Sequence, residues 1–122
     1  MIKLLDWEKA LENVDGSEEL LLELAQVFVE SCPDMMREVH EAISKGDAPS
    51  LHRAAHNIKG SARIFSAGAV VEEALRLEEM GADADLRMAE ESSVHLERAA
   101  AQLCAALSER IGRTGAGEKR DM

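Results

Sequence analysis

Seven residues between positions 86 and 107 (Leu86, Ala89, Ser93, Leu96, Ala100, Leu103 and Leu107) stand three and four apart in strict alternation. That seam follows one side of an α-helix and suits helices packed at a shallow angle, as in a bundle. A strand would scatter the same set over both of its faces. Leu21, Leu24, Phe28, Cys32, Met35, Val39 and Ala42 repeat the three-and-four pattern after the turn Asp15-Gly16-Ser17. Asp15 or Ser17 caps this helix, and Glu18 and Glu19 suit the positive end of its dipole. Pro33 lies inside the run and lacks the N–H that would bond back to Val29, so a kink rather than a break is expected.

Gly46 stops that helix and Asp47 caps a third, whose apolar side is Leu51, Ala54, Ala55, Ile58, Ala62 and Phe65. A fourth, over about 68–80, is expected to bury Val71, Ala74, Leu75 and Leu77 and to end at Gly81. Asp6 caps a short first helix over about 7–13. Composition agrees, since Ala, Glu and Leu supply 50 of the 122 residues while Thr occurs once. That balance favours helix and starves a sheet of β-branched residues. The expected fold is all-α, an antiparallel four-helix bundle with an additional short N-terminal helix, over residues 1–111. From Gly112 to Met122 the apolar period is gone, and a flexible C-terminal tail is expected.

Several functions are excluded. A formal charge of −10 opposes a phosphate backbone, and Trp7, Phe28 and Phe65 are the only aromatic residues, too few for a base-stacking platform, so no nucleic acid is expected. The apolar runs are far shorter than the roughly 20 residues of a membrane span, and Met1-Ile2-Lys3-Leu4-Leu5-Asp6 lacks a secretory signal, which points to the cytoplasm. Cys32 and Cys104 fit no ligand spacing and read as reduced core thiols. No Glu-x-x-His pair occurs, and the His52/His56 spacing lacks a further ligand, so no metal is expected. Lys59-Gly60-Ser61 has neither the upstream glycine nor the strand of a phosphate loop, so no ATP site is expected.

The functional signal is in the charge distribution. Residues 48–71 contain no Asp or Glu, where chance would place roughly five of the chain's 24 acids. The same stretch carries Arg53, Lys59 and Arg63 with His52 and His56. On a helical wheel with Leu51 at zero, His56 falls at about 140°, outside the apolar stripe, among Lys59, His52, Arg63 and Arg53 at about 80° to 200°. Gly60, one turn after His56, costs a helix about 1 kcal/mol relative to alanine and suggests that a side chain there would obstruct approach to the ring. Ile64 is an apolar residue on this polar side and a candidate, with His52, for partner docking. Surrounding cations oppose a further positive charge on an imidazole and attract a phosphoryl dianion, so the residues form a coherent phosphoryl-acceptor site.

The segment Ala55-His56-Asn57-Ile58-Lys59-Gly60-Ser61-Ala62, with Phe65 and Leu75-Arg76-Leu77-Glu78 after it, resembles the signature of histidine-containing phosphotransfer (HPt) domains. Asp6-Trp7, Gly16-Ser17-Glu18-Glu19, Phe28, Pro33 and Gly46-Asp47 extend the likeness over roughly residues 4–110. The resemblance implies a phosphorelay carrier without kinase activity of its own. His56 would accept a phosphoryl group on Nε2 from a receiver-domain aspartyl phosphate and pass it to another receiver. Lys59 would be the cation beside the phosphoryl group and Gly60 the residue that gives access; helix geometry, not the motif, adds Arg63 and Arg53 to the phosphate neighbourhood, with Ser61 beside them. The implied partners are response-regulator receiver domains or a hybrid histidine kinase; the Mg²⁺ belongs to the receiver, and the chain itself is expected to be a monomer without a cofactor. One departure stands out. The family often has glycine after the aromatic residue that closes the third helix, where this chain has Ser66, with Gly68 two residues later; if the family's glycine supplies a left-handed turn, a reshaped connection to the fourth helix is expected. The alternative is a helical adaptor that docks through the third helix and is never phosphorylated.

Overall fold

Each of the first three helices begins where a side-chain oxygen satisfies a free backbone N–H. Asp6 accepts from Lys9 N–H and opens α1 (Trp7–Asn13), Ser17 accepts from Leu20 N–H and opens α2 (Glu18–Lys45), and Asp47 accepts from Ser50 N–H and opens α3 (Ala48–Arg63). Two more helices follow, α4 (Gly68–Ala82) and α5 (Ala89–Arg120). The computed structural model describes the backbone of residues 3–120 and the side chains of residues 3–113. Among the described residues there is no strand, and no helix is long and apolar enough to cross a membrane.

In the ring of four helices, α2 packs on α3 and α5, and α4 packs on the same two, which is the up-down topology that short turns impose. The core runs through Phe28 and Phe65, whose rings meet edge to face at 5.8 Å, and through Leu21, Leu51, Ile58, Leu77, Leu96, Leu103 and Leu107. The short α1 lies across one end. Trp7 carries the Arg110 guanidinium 4.9 Å from its ring centre, and Asn13 donates to the Ile64 carbonyl at 3.1 Å. That tie, with Asp6 N–H on the Phe65 carbonyl, fixes the α3–α4 turn that positions the two helices of interest.

The structure rotates part of the expected core. On α4 the buried stripe is Val70, Ala74, Leu77 and Gly81, while Leu75 is exposed and Val71 only partly buried. On α2, Ala25 is buried and Leu24 partly so. A short apolar helix leaves its register open by about one residue, because adjacent leucines and valines compete for the same stripe. Helix α4 runs through Gly81 instead of ending there, and Leu86 sits in the turn before α5. Pro33 lies within an uninterrupted α2. Beyond Gly112, where a flexible tail was expected, the backbone of α5 continues helically to Arg120; extending a formed helix fixes one residue per new bond, so loss of the apolar period does not itself end it. The last two residues of that expected tail lie outside the described residues.

The ends of α2, α3 and α4 share one device. After α2, Asp47 N–H reaches the Ala42 carbonyl and Gly46 N–H the Ile43 carbonyl, with Gly46 left-handed at φ +65°. Ser66 takes the same place after α3 at φ +51°, with Ala67 N–H on Ala62 and Ser66 N–H on Arg63. The expected reshaping therefore does not occur: Ser66 adopts the glycine conformation, and Gly68 simply begins α4. Ala84 closes α4 likewise at φ +54°. A side chain in this region carries a steric penalty, so Ser66→Gly and Ala84→Gly should each stabilise the fold by about 0.5–1 kcal/mol in urea titrations. Destabilisation by either change would show that its side chain contributes more than its backbone strain removes.

Candidate functional site

The backbone of α3 comes close to α4 at Gly81. A Cβ built there would lie 2.6 Å from the backbone nitrogen of His52 and 2.8 Å from the carbonyl oxygen of Ala48, so only glycine permits this approach. Three residues earlier, on the core-facing stripe beside Ala74 and Leu77, α4 carries Glu78, which is 9% exposed. At this separation its carboxylate spans the gap to α3.

Glu78 makes three contacts there. Oε2 accepts from His56 Nδ1 at 2.8 Å, Lys59 Nζ stands 2.5 Å from Oε1, and the Glu78 backbone carbonyl accepts from His52 Nδ1 at 3.1 Å. Oε1 meets the ammonium as a charge, outside good hydrogen-bond alignment. Burial pushes the Glu78 acid up, but the pull of Lys59 and then of His56 outweighs it and holds the carboxyl below its usual range. Glu78 is therefore an anion at neutral pH and can only accept.

That charge state decides the histidine's tautomer. An acceptor at Nδ1 requires the proton there, so the neutral ring keeps its lone pair at Nε2. The His56 side chain is 64% exposed, and Nε2 has no protein partner among the described residues. A ring held by one nitrogen and open at the other can attack an electrophile, while the buried carboxylate stabilises the positive charge that develops on the imidazole.

The other expected site residues divide. Gly60 faces open space, with nothing within 4 Å of an added Cβ. Arg53 is exposed and donates to Ser50 Oγ at 3.1 Å; Arg63 is exposed, and its guanidinium has no partner among the described residues. Ser61 turns its hydroxyl back to the Asn57 carbonyl at 3.1 Å. His52 is half-buried, with its ring nearly parallel to that of His56 and the centroids 6.4 Å apart. Ile64 is half-buried and packs against the core.

Two expectations are corrected. Lys59 is not an exposed cation beside the ring but a buried one, 7% exposed and paired with Glu78. The stretch without acids is also not free of negative charge in space, because α4 inserts one. Glu78 was quoted in the sequence motif without a role. Its signal was position: it falls four residues after Ala74, an acid on the apolar stripe of a helix.

The Hpt domain family model matches residues 23–110. Among solved structures, histidine-containing phosphotransfer protein B of Pseudomonas aeruginosa PAO1 superposes with a TM-score of 0.82 at 25% identity, over 89% of this chain and 95% of that one. The HPt domain of a sensor hybrid histidine kinase from Shewanella gives 0.81 at 14% identity, over 93% and 97%, a likeness of fold. No curated protein sequence matches. The chain belongs to the Hpt domain family, and its role is phosphotransfer in a two-component phosphorelay, as a carrier and not a kinase.

The Glu78 network has a pH signature. A carboxyl depressed in the folded chain contributes stability that is full above the ordinary glutamate value of 4.5 and is lost as pH falls through the lower folded value. Glu78→Gln leaves the Lys59 ammonium unpaired and should cost about 2–3 kcal/mol at neutral pH. The gap between the two proteins should narrow below pH 4.5; a constant gap down the acid limb would show that charge pairing is not its source. Gly81→Ala should destabilise by about 1–3 kcal/mol, since its methyl meets backbone and no flexible side chain can yield.

Proposed function

We propose that His56 is the phosphoryl acceptor of this Hpt domain and exchanges the group with the aspartate of a receiver domain. The observation that carries this reading is an exposed ring whose Nδ1 is committed to Glu78, leaving Nε2 as the nucleophile. In the transfer, the bond between phosphorus and the receiver's carboxylate oxygen breaks and a bond from phosphorus to Nε2 forms. The aspartate leaves as a carboxylate. No proton needs to move, because the imidazolium that results keeps Nδ1–H on Glu78, and the reverse reaction follows the same path.

The neighbouring residues take distinct parts. Gly60 leaves room for the incoming pocket. Arg63 and Arg53 are the exposed cations on this side of α3, suited to draw in a dianionic group, whereas Lys59 acts through Glu78 by holding its charge in place. The receiver is expected to supply Mg²⁺ and the remaining charge stabilisation. A hybrid kinase carrying such a receiver is the natural donor.

Incubation with a phosphorylated receiver domain should label the protein with an acid-labile, alkali-stable phosphate. His56→Gln should abolish the label. Labelling of that variant at the wild-type level, or receiver binding without any labelling of wild type, would sink the assignment and favour a docking adaptor. Gly60→Ala separates access from folding: it should keep or raise stability, by up to about 1 kcal/mol, yet slow transfer at least tenfold. Unchanged transfer would remove Gly60 from the site.

A further inference from the structure

The bundle edge opposite the α3–α4 pair holds a second reactive pair. Cys32 on α2 and Cys104 on α5 stand at one level of two antiparallel helices, eight residues before His40 and seven after Glu97, whose side chains meet across the pair at 3.3 Å. Both are free thiols, and both line an open groove of about 730 Å³ between the two helices. Cys32 is 8% exposed and Cys104 half-buried, so the pair sits at the floor of the groove, within reach of a small solute. Val29, Pro33 and Met36 form the apolar wall on α2, and Ala100 and Ala101 line the groove from α5. Nothing in the phosphoryl site uses either sulfur.

We propose that Cys32 and Cys104 are a thiol modification site that closes to a reversible disulfide when a hydroperoxide reaches the groove. In the first step the thiolate of the pair attacks the peroxide oxygen: the O–O bond breaks, one sulfur becomes a sulfenic acid, and an alcohol or water leaves. The second thiol then attacks that sulfur and displaces water. Two thiols lose two electrons and two protons in all, the peroxide takes both electrons, and a dithiol reductant restores the starting state.

The microenvironment helps and restrains this chemistry. The neighbouring Cys104 thiol draws Cys32 down against the cost of burial, while Cys32 pushes Cys104 up, so the two sulfurs differ in their readiness to ionise. Glu97 opposes the thiolate by its charge, and its carboxylate is held at the groove rim by His40 Nε2 at 3.3 Å. Reaction is therefore expected to be slower than at a thiol beside a fixed cation. Once made, the bond joins α2 to α5 and encloses α3 and α4 in one covalent loop, which restricts the unfolded chain more than the folded one. His56 lies on the other edge and keeps its geometry.

Treating the reduced protein with hydrogen peroxide tests the proposal. The expected product is a monomer lighter by two hydrogen atoms, with a Cys32–Cys104 peptide pair that disappears on reduction and a thermal midpoint raised by several degrees. Cys32→Ala and Cys104→Ala should lose that product and give oxygen adducts or linked dimers. Phosphate labelling of His56 should persist in the oxidised monomer, which separates this site from the phosphoryl site. A wild-type protein that only gains oxygen, or that only cross-links between chains, would overturn the proposal whether or not the alanine variants fold.

Discussion

A carboxylate almost sealed from water has to find positive charge, and the arrangement of this molecule follows from how Glu78 does so. Desolvating an anion is expensive unless it is paired and hydrogen-bonded, and only α3 supplies partners within reach. Lys59 balances the charge from within the bundle, while the imidazole of His56 binds from the solvent side. One buried group thereby sets the register of α3 against α4 and fixes the proton on the ring. The ion pair is not to be read as a large net source of stability, since desolvation of both charges offsets much of their attraction. Its value lies in specifying one arrangement.

That arrangement depends on an absent side chain. Gly81 admits the α3 backbone at a distance no Cβ tolerates, and without it Glu78 would stand back from His56. Gly60 is open for a different reason. Nothing among the described residues occupies its surroundings, so the space is available to another molecule. Both glycines lie inside a helix at an apparent cost of about 1 kcal/mol, yet one serves packing and the other access.

The starts of the first three helices and the bundle class were legible because caps and periodicity are local: Asp6, Ser17 and Asp47 announce helices by themselves. The exposure of the His56 ring and the open surroundings of Gly60 were legible because a polar-side imidazole and a mid-helix glycine are anomalies within one helix. The failures were of another kind. Lys59 on a helical wheel lies near the boundary of the apolar stripe, and whether its ammonium points to solvent or inward depends on what the neighbouring helix brings. Glu78 brought the partner, and its pairing with residues 19 and 22 positions away is not a pattern that spacing along one helix contains. Ser66 failed for a third reason: the strain of a left-handed serine is small enough that the turn's hydrogen bonds impose the conformation on whatever residue stands there.

The correction at Lys59 also changes how the surface charge should be read. Counted along the sequence, α3 shows three fixed cations and no acid; in space, the Lys59 charge is spent on Glu78 and the exposed patch is Arg53 and Arg63 around the ring. Two arginines on a protein of net charge −10 are a weak field, screened within about 8–10 Å in physiological salt. They suit a short-range, transient encounter with an anionic pocket better than tight capture. A phosphorelay carrier requires that behaviour: a partner held too firmly before transfer would be held after it, and the group could not move on.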